Sequence, residues 1–293
     1  MLGCGYSGLR IARELLDGGA EVLGTRRDAA GVAALQAEGV PGLVFDAGGD
    51  AAPSPALDEA VARATHLISC AAPAREPPLD DPVLDAVRAR LAAGAPRHLE
   101  WIGYLSTIGV YGDHGGAWVD EDTPCTSVQP RSIARREAEL GWADLAREAD
   151  VAIATLRLSG IYGPGRNAVA DALAGRARVL AKADQVFNRI HVDDLARAAS
   201  LAARARFDGT LNVTDDEPAP PEAVVAHAHA LVGREPPPVV DVATADVTPM
   251  ARSFYAENKR VANARSKTAL GMRYRYPDYR SGLGALARTE PGA

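Results

Sequence analysis

The pattern Gly-x-Gly-x-x-Gly at residues 3–8 constrains the fold of this chain more than any other feature. A helix-like run from Leu9 to Leu16 follows it, and then a strand-like segment from Val22 to Thr25. A glycine loop, a helix and a strand in this order predict the first half of a dinucleotide-binding βαβ unit. In such a unit the first glycine makes a tight turn and the second lets the backbone approach a pyrophosphate. The third lets the helix pack closely on the sheet.

We expect the glycine loop and the start of its helix to bind the phosphates of a dinucleotide, because a helix N-terminus offers N–H groups and a positive dipole. The residues concerned are Gly3, Gly5, Tyr6, Ser7 and Gly8. Only two residues precede the loop, although strands average about five or six residues. Either a few upstream residues are missing or the central strand is short, and in both cases we expect the fold to survive.

Strand-like and helix-like segments alternate after the loop, including a helix over 29–37 and a strand over 66–69. Alternation of this kind predicts an α/β fold with a Rossmann-type, doubly wound parallel sheet. In such a sheet ligands bind beyond the carboxyl ends of the strands, so the loops after each strand are the ones that carry function.

The alternation loosens near residue 165, and residues 240–293 are predicted to be less regular. We therefore predict a dinucleotide-binding Rossmann domain over 1–165 and a smaller C-terminal α+β substrate lobe over 166–293. A segment of about 186–214 is predicted to return to the Rossmann domain.

Composition excludes several classes of protein. The 293 residues are 47% hydrophobic and 24% charged, with a net charge of −6. This mild acidity, without a basic stripe, argues against nucleic acid as a partner. No apolar run approaches the roughly 18 residues of a membrane span. The cysteines, Cys4, Cys70 and Cys125, lie far apart, which predicts a reducing cytoplasm and no metal site. Cys70 has no base beside it in sequence, so we interpret it as a small buried apolar residue.

The residues after the second strand indicate which cofactor is bound. Thr25 is followed by Arg26, Arg27 and Asp28. An acidic side chain at this strand end holds the ribose of NAD, whereas arginine holds the 2′-phosphate of NADP. We therefore favour NADP over NAD, with Thr25, Arg26 and Arg27 as cofactor-binding residues. Two alternatives stay open: the arginines are solvated charges beside an Asp28 helix cap, or Asp28 holds the ribose.

The next two strand ends add further candidates for cofactor binding. Asp46 closes the third strand and is suited either to accept a hydrogen bond from the adenine amino group or to form a turn before Gly48. Ser69 and Ala71 follow the fourth strand. Such small residues suit a backbone that passes under a dinucleotide, and they equally suit plain packing.

Four segments resemble the extended short-chain dehydrogenase/reductases, the NAD(P)-dependent epimerase/dehydratase-like family. Leu105–Gly112 is similar to the S-S-x-x-V-Y-G segment of that family, and Leu156–Arg166 to its L-R-x-x-x-x-Y-G-P-x-R segment. Asn188–Asp194 resembles R-x-H-V-D-D, and Leu211–Val213 resembles the Y-N-V strand. With the glycine loop, these matches run in the order of the family from residue 3 to about residue 214.

The resemblance implies a catalytic site built on a Ser or Thr, a Tyr and a Lys, with the Tyr and Lys in a Tyr-x-x-x-Lys helix. Thr107 takes the place of the Ser or Thr that orients the substrate. Alignment on Glu139 places Arg135 at the lysine and Arg131 at the tyrosine. An arginine, with a pKa above about 12, cannot shuttle protons at neutral pH. Arg135 remains a candidate for holding ribose or phosphate.

Other residues of the resembling segments complete the predicted site. Tyr111 is the candidate substitute for the missing proton donor, with the wall of the pocket as the alternative role of its ring. The predicted catalytic residues are thus Thr107, Tyr111 and Arg135, and Gly160 joins the predicted cofactor-binding residues. The predicted substrate-binding residues are Asn188, Arg189 and His191, with an anionic substrate in view.

We therefore predict an NADP-dependent oxidoreductase or epimerase with a degenerate Tyr-x-x-x-Lys site. Its substrate is predicted to be a small molecule with a carbonyl or hydroxyl group, or a nucleotide sugar. The main alternative is an NADP-binding sensor or regulator without catalysis, and a binding module with a relic glycine loop is a third. Helices on the faces of the sheet would allow a homodimer.

Overall fold

The computed structural model describes residues 1–48, 54–74, 80–93 and 98–290. The elements of the first half are α1 (Tyr6–Asp17), β1 (Gly24–Arg26), α2 (Ala29–Ala37), β2 (Gly42–Val44), α3 (Pro55–Arg63), β3 (His66–Ser69), α4 (Pro82–Ala93), β4 (Trp101–Thr107), β5 (Trp118–Val119) and α5 (Pro130–Glu148). Those of the second half are β6 (Ala152–Leu158), β7 (Gly160–Tyr162), α6 (Ala168–Leu173), β8 (Val179–Ala181), β9 (Arg189–His191), α7 (Val192–Ala205), β10 (Gly209–Val213), α8 (Pro221–Leu231), β11 (Val239–Asp241), α9 (Pro249–Phe254), β12 (Arg260–Val261), α10 (Ala264–Leu270) and α11 (Tyr279–Leu286).

Side-chain caps explain where several helices begin. The Asp28 carboxylate accepts a hydrogen bond from the Gly31 N–H at 2.7 Å, so α2 begins at residue 29, as predicted. Ser54 caps α3, which has a proline in its first turn. Asp278 and Ser281 form a capping box at the start of α11. Each cap satisfies N–H groups that the helix itself leaves without an acceptor.

The main sheet is built from parallel strands. β1 pairs with β2 in parallel, and β3 pairs with β4 in parallel. A four-stranded sheet has the order β10-β6-β4-β3. Helices α1 to α5 alternate with these strands along the chain. The predicted α/β fold, a Rossmann-type doubly wound parallel sheet, is confirmed.

The first residues of the chain form the short central strand that joins these two groups of strands. Leu2 forms a parallel bridge with Ser69 of β3, and its N–H donates to the Ile68 carbonyl oxygen at 2.8 Å. On the other side, the Thr25 N–H of β1 donates to the Met1 carbonyl oxygen at 2.9 Å. The full order is thus β2-β1-(residues 1–4)-β3-β4-β6-β10. The glycine loop follows directly where the strand order reverses, which is where parallel sheets bind ligands.

Two compact units divide the chain. Unit 1 comprises residues 1–110, 130–157 and 195–211, and unit 2 comprises residues 111–129, 158–194 and 212–293. The predicted roles of a cofactor domain and a substrate lobe, with their boundary at residue 165, stay predictions.

Each unit has its own apolar core. In unit 1 the core includes Leu2, Leu57, Leu67, Ile102, Tyr104 and Trp142. In unit 2 it includes Tyr162, Val169, Ala219, Val224, Tyr279 and Leu283. Because each set is buried among residues of its own unit, each unit can hold its functional side chains on a packed framework.

Candidate functional site

The three glycines of the loop in unit 1 lie in three different surroundings. Gly3 has a φ of +74°, and a Cβ at this position would lie 3.1 Å from the backbone nitrogen of Ala71. A Cβ on Gly8 would lie 3.3 Å from the Gly3 carbonyl oxygen. Among the described residues, only the Arg26 Nη1 lies within 4 Å of a Cβ built on Gly5, at 3.9 Å. Gly3 and Gly8 therefore serve the turn and the packing, whereas the backbone at Gly5 borders open space that suits a pyrophosphate.

Thr25 holds the glycine loop in place. Its hydroxyl oxygen accepts a hydrogen bond from the Gly3 N–H at 3.0 Å, and its carbonyl oxygen accepts one from the Cys4 N–H at 2.8 Å. The first turn of α1 starts at Tyr6, and Gly5 before it provides no side-chain cap. A helix start of this kind leaves N–H groups for an anionic ligand.

An arginine stands at the end of β1. The Arg26 Nη1 donates to the Cys4 carbonyl oxygen at 3.0 Å. A Cβ on Gly31 would lie 2.7 Å from the Arg26 Nε, so this side chain runs from the glycine loop to the first turn of α2. Arg27 is exposed. Asp28 is engaged as the cap of α2.

The other predicted strand-end residues have local contacts. The Asp46 carboxylate accepts a hydrogen bond from the Gly48 N–H at 3.3 Å, which is the turn role foreseen as one alternative. Ser69 is fully buried, and its hydroxyl has no hydrogen-bond partner among the described residues. Burial raises the pKa of the Cys70 thiol to about 12. A thiol with this pKa is neutral at pH 7, which agrees with the interpretation of Cys70 as an apolar packing residue.

Two hydroxyl groups border the backbone of Gly109, just after β4. The Thr107 hydroxyl oxygen accepts a hydrogen bond from the Gly109 N–H at 3.1 Å. A Cβ on Gly109 would lie 3.0 Å from the Ser132 Oγ and 3.4 Å from the Thr107 Oγ1. Ser132 was missed by the sequence analysis, although it follows Arg131 directly in the chain. The Thr107 hydroxyl keeps its proton available for donation, because its oxygen acts as the acceptor in this contact.

Arg135 lies against the carboxyl end of β4. Its Nη1 donates to the Leu105 carbonyl oxygen at 2.7 Å, and its guanidinium carbon lies 5.9 Å from the centre of the Tyr104 ring. The buried Nε has no hydrogen-bond partner in the described part of the chain. Burial has the largest effect on the pKa of the Tyr104 phenol and raises it. The arginine therefore brings a fixed positive charge to the strand end, while Tyr104 stays neutral and inaccessible.

A buried carboxylate anchors α5, the helix that carries Arg135. The Glu139 side chain accepts two hydrogen bonds from Arg157, at 2.9 and 3.1 Å, and one from the Ser106 hydroxyl at 2.6 Å. Arg136 adds a further contact at 3.2 Å. Glu139 and Arg157 are 4% and 5% exposed, so the pair is removed from water. The contacts of Glu139 with Ser106 on β4 and with Arg157 on β6 could not be inferred from the sequence, although the resemblance to the family draws on both Glu139 and Arg157.

Tyr111, in unit 2, is fully buried. Its phenol donates to the Asn212 side-chain oxygen at 2.7 Å. The Tyr111 carbonyl oxygen accepts hydrogen bonds from the Thr126 N–H and hydroxyl, and contacts the His114 Nε2 at 3.0 Å. These contacts give Tyr111 a structural task, and its predicted role as proton donor stays an untested prediction.

His191 and Tyr162 pack together on the parallel strands β7 and β9. Their rings lie edge to face with centres 5.2 Å apart. The His191 Nδ1 accepts a hydrogen bond from the Asp193 N–H at 3.2 Å, in the first turn of α7. Gly282 leaves the space that the Tyr162 ring fills, because a Cβ there would lie 2.7 Å from a ring carbon. Both rings therefore belong to the packing of unit 2.

The predicted substrate-binding pair Asn188 and Arg189 divides into two tasks. The Asn188 amide donates to the Lys259 carbonyl oxygen at 3.0 Å and accepts from the Val261 N–H at 2.8 Å, so it ties β9 to β12. The Arg189 Nη1 donates hydrogen bonds to two backbone carbonyl oxygens. Gly160 pairs with Arg189 in the parallel register of β7 and β9. Among the predicted residues of unit 2, Arg189 is the one whose charged end remains suited to a ligand.

Comparison with known proteins identifies the family. The model of the NAD-dependent epimerase/dehydratase family matches residues 2–213. The chain belongs to this family. The resemblance to epimerases and dehydratases predicted from the sequence is confirmed.

Three relatives illustrate this membership. A 3-diazoavenalumate denitrifying reductase from Streptomyces is 32% identical over 178 residues, which are 57% of this chain and 56% of the relative. This match thus spans little more than half of the length of that reductase. A conserved protein of unknown function from Silicibacter pomeroyi is 42% identical, with a TM-score of 0.85 and coverage of 98% and 96%. The UDP-glucose 4-epimerase of Thermus thermophilus, solved with NAD, is 21% identical, with a TM-score of 0.75 over 98% of both chains, and shows the same fold.

In this epimerase/dehydratase homologue, helix α5 carries Arg131 and Arg135 four residues apart. The degenerate Tyr-x-x-x-Lys site that the resemblance implies at these two positions stays a prediction. No helix in the described part of the chain is long and apolar enough to cross a membrane. Within the same residues, no group of three potential ligands is arranged to hold a metal ion. The roles assigned to individual site residues stay predictions.

Proposed function

We propose that this protein is an NADP-dependent reductase of the epimerase/dehydratase family that acts on an electron-poor small molecule. The observation that carries the choice of cofactor is the position of Arg26, between the glycine loop and α2, while Asp28 is engaged as a helix cap. When bound, NADPH supplies a hydride. Arg26 binds its 2′-phosphate through charge-assisted hydrogen bonds, and the loop N–H groups bind its pyrophosphate.

The choice of reduction over epimerisation rests on the missing proton carrier. Epimerisation through a keto intermediate requires a group that takes a proton from a hydroxyl and returns it. Arginine cannot do this at neutral pH, and Tyr111 is buried with its phenol bonded to Asn212. Reduction of an electron-poor acceptor demands less, because the product anion is stable enough to take its proton from water.

Unit 1 provides the groups that orient the acceptor. Thr107 donates a hydrogen bond from its hydroxyl to the acceptor atom, and Ser132 lies beside it across Gly109. The proton of the product comes from water. Arg135 places a positive charge at the carboxyl end of β4, where it offsets negative charge that develops on the acceptor. The Streptomyces relative, a reductase by name, supports this direction of the chemistry.

The proposal also covers the compartment in which the protein works and its assembly. The three cysteines are free thiols, which suits a reducing cytoplasm. A homodimer through exposed helix faces remains the predicted assembly, with Ile133 and Leu140 of α5 as exposed apolar residues.

The test is transfer of deuterium from NADPH labelled at C4 to a panel of acceptors, measured by mass spectrometry of the products. The panel contains a quinone, an α-diketone, an aryl diazonium salt and a simple ketone. We expect transfer to the electron-poor members and none to the simple ketone. The double variant R131Y/R135K, which restores the residue types of the family, should gain activity on the simple ketone.

Two results would overturn the reductase. Tight NADPH binding without transfer to any acceptor would leave the sensor as the function. Equal transfer from the wild-type protein to the simple ketone and the quinone would show that a proton donor is present after all.

A further inference from the structure

The guanidinium of Arg189 is held at one end only. Its Nη1 donates to the carbonyl oxygens of Phe187 and Ala219, at 2.9 and 3.1 Å. Its Nε and Nη2 have no hydrogen bond to any of the described residues. Tyr162 and His191 lie opposite each other in the β7–β9 pair, and their rings are in contact. Arg189 precedes His191 by two residues on β9, and alternate residues of a strand share a face, so all three side chains project from the same face. A fixed guanidinium with unused donors is suited to bind a carboxylate or phosphate.

Asp215 lies beside this arginine, just after β10. Its backbone N–H donates to the Arg189 carbonyl oxygen at 2.7 Å. The side chain is buried, since the residue is 1% exposed. One carboxyl oxygen accepts a hydrogen bond from the Glu217 N–H at 3.3 Å, and the other has no partner in the described part of the chain. A buried polar atom without a partner costs stability unless a ligand or water satisfies it.

Arg189 and Asp215 interact electrostatically but do not form an ion pair. Each has a strong effect on the pKa of the other. An ion pair requires a nitrogen and an oxygen within 4.0 Å of each other. Among the described residues, however, no Arg189 nitrogen lies this close to an Asp215 carboxyl oxygen. Both side chains therefore keep hydrogen-bonding capacity that no described residue uses.

We propose that Arg189 and Asp215 form an oxyanion-binding subsite, in which Arg189 and the protonated Asp215 carboxyl group both donate hydrogen bonds to one carboxylate or phosphate oxygen of the ligand. The subsite lies within unit 2, and the inference does not rest on the proposed function. Arg189 and neutral Asp215 together carry one positive charge, which matches a ligand with one negative charge. Binding of the anion is therefore coupled to retention or uptake of a proton by Asp215.

The surroundings of Asp215 favour the protonated form. Burial raises the pKa of Asp215 to about 8, and Arg189 opposes this rise. The other titratable groups around it are Tyr162 on β7, Tyr274, Asp278 at the start of α11, and the adjacent Asp216. The two neighbouring carboxylates raise the pKa further. Only Arg189 among these groups favours the charged carboxylate.

The experiment is calorimetric titration of the full-length protein with acetate and with sulfate, which keep constant charge over the range used. With a pKa of about 8, acetate affinity should fall by about tenfold or more between about pH 6.5 and about pH 9.5. Titration in two buffers of different ionisation enthalpy should show proton uptake at the alkaline end. Stronger binding of planar acetate indicates a carboxylate ligand, and stronger binding of tetrahedral sulfate indicates a phosphate ester.

Matched variants separate the subsite from general charge effects. D215N should bind acetate with less than about threefold change over the same pH range, because its amide does not titrate. D216N, at an exposed neighbour, should keep a pH dependence of the same size, with its midpoint moved to lower pH because Asp216 raises the pKa of Asp215. The proposal is overturned if the wild type binds neither anion, or if D215N retains the wild-type pH dependence. A parallel NADPH titration reports on the cofactor site separately, so failure of the subsite is distinguishable from failure of the reductase.

Discussion

Arg26 is the last residue of β1, and Asp28 follows it by two residues, but their side chains make different contacts. The Arg26 guanidinium contacts the glycine loop through the Cys4 carbonyl oxygen. The Asp28 carboxylate caps α2 through the Gly31 N–H. A single position at a strand end thus carries the charge that a 2′-phosphate requires.

The corresponding prediction concerns Arg26→Gln. Loss of a charge-assisted contact with the 2′-phosphate, of about 1.5–3 kcal/mol, should weaken NADP⁺ binding by about tenfold to a hundredfold. The affinity for NAD⁺ should change by less than about threefold, since NAD⁺ lacks this phosphate. Arg63→Gln, at an exposed arginine of α3 without a predicted cofactor role, is the control. An equal loss for both cofactors would instead assign Arg26 to the loop structure alone.

The sequence allowed correct prediction of residues whose task depends on local neighbours. The helix over 29–37 was placed correctly because its cap, Asp28, lies immediately before it. The role of Tyr111 could not be inferred in this way, because its partner Asn212 is 101 residues away. Arg135 was predicted from the family resemblance, whereas the bond from its guanidinium to the Leu105 carbonyl oxygen required the fold. Asp215 gave no signal in the sequence, since its burial depends on elements distant in the chain.

At the scale of elements, the position of α5 depends on Glu139. This carboxylate connects the helix to Arg157 of β6 and Ser106 of β4. Helices α9 to α11, with six, seven and eight residues, were not predicted individually. Short helices carry weak periodicity, and they form here because caps and packing stabilise them.

We predict that Glu139→Gln destabilises the protein strongly. The substitution breaks the buried ion pair between Glu139 and Arg157, and breaking a buried pair by removing one partner costs about 3–5 kcal/mol. Glu137→Gln, at an exposed position of the same helix, should change the free energy of unfolding by less than about 0.5 kcal/mol. Urea unfolding followed by circular dichroism measures both. A loss below about 1 kcal/mol for Glu139→Gln would contradict the assigned role.

At the scale of the whole molecule, buried carboxyl groups set the response to pH. Burial raises the pKa values of Asp81, Glu121 and Asp215, the last to about 8. Each of these carboxyl groups therefore keeps its proton to a higher pH in the native state than in the unfolded chain, so its contribution to stability falls as the pH rises. The buried Met1 amino group, whose pKa burial lowers, contributes in the opposite direction below about pH 8. Hydrogen bonds lower the pKa values of the exposed Asp113 and Asp120, whose effects appear only below about pH 4.

The melting temperature should consequently be higher near pH 6 than near pH 9. D215N should reduce the difference, because the amide has no proton to lose. Differential scanning calorimetry at matched ionic strength provides the measurement. A wild-type protein that is more stable near pH 9 than near pH 6 would show that other groups dominate.

The short central strand at residues 1–4 has a consequence for synthesis of the chain. Its pairing with β1 can form once residue 25 has left the ribosome, but Leu2 bonds to Ile68 and Cys70 on its other side. At elongation rates of about 5–20 residues per second, the nascent chain carries this strand with one free edge for several seconds. An unpaired edge is a site for wrong association. Residues 1–4, which complete the main sheet, are thus the part of that sheet that waits longest for its second partner strand during translation.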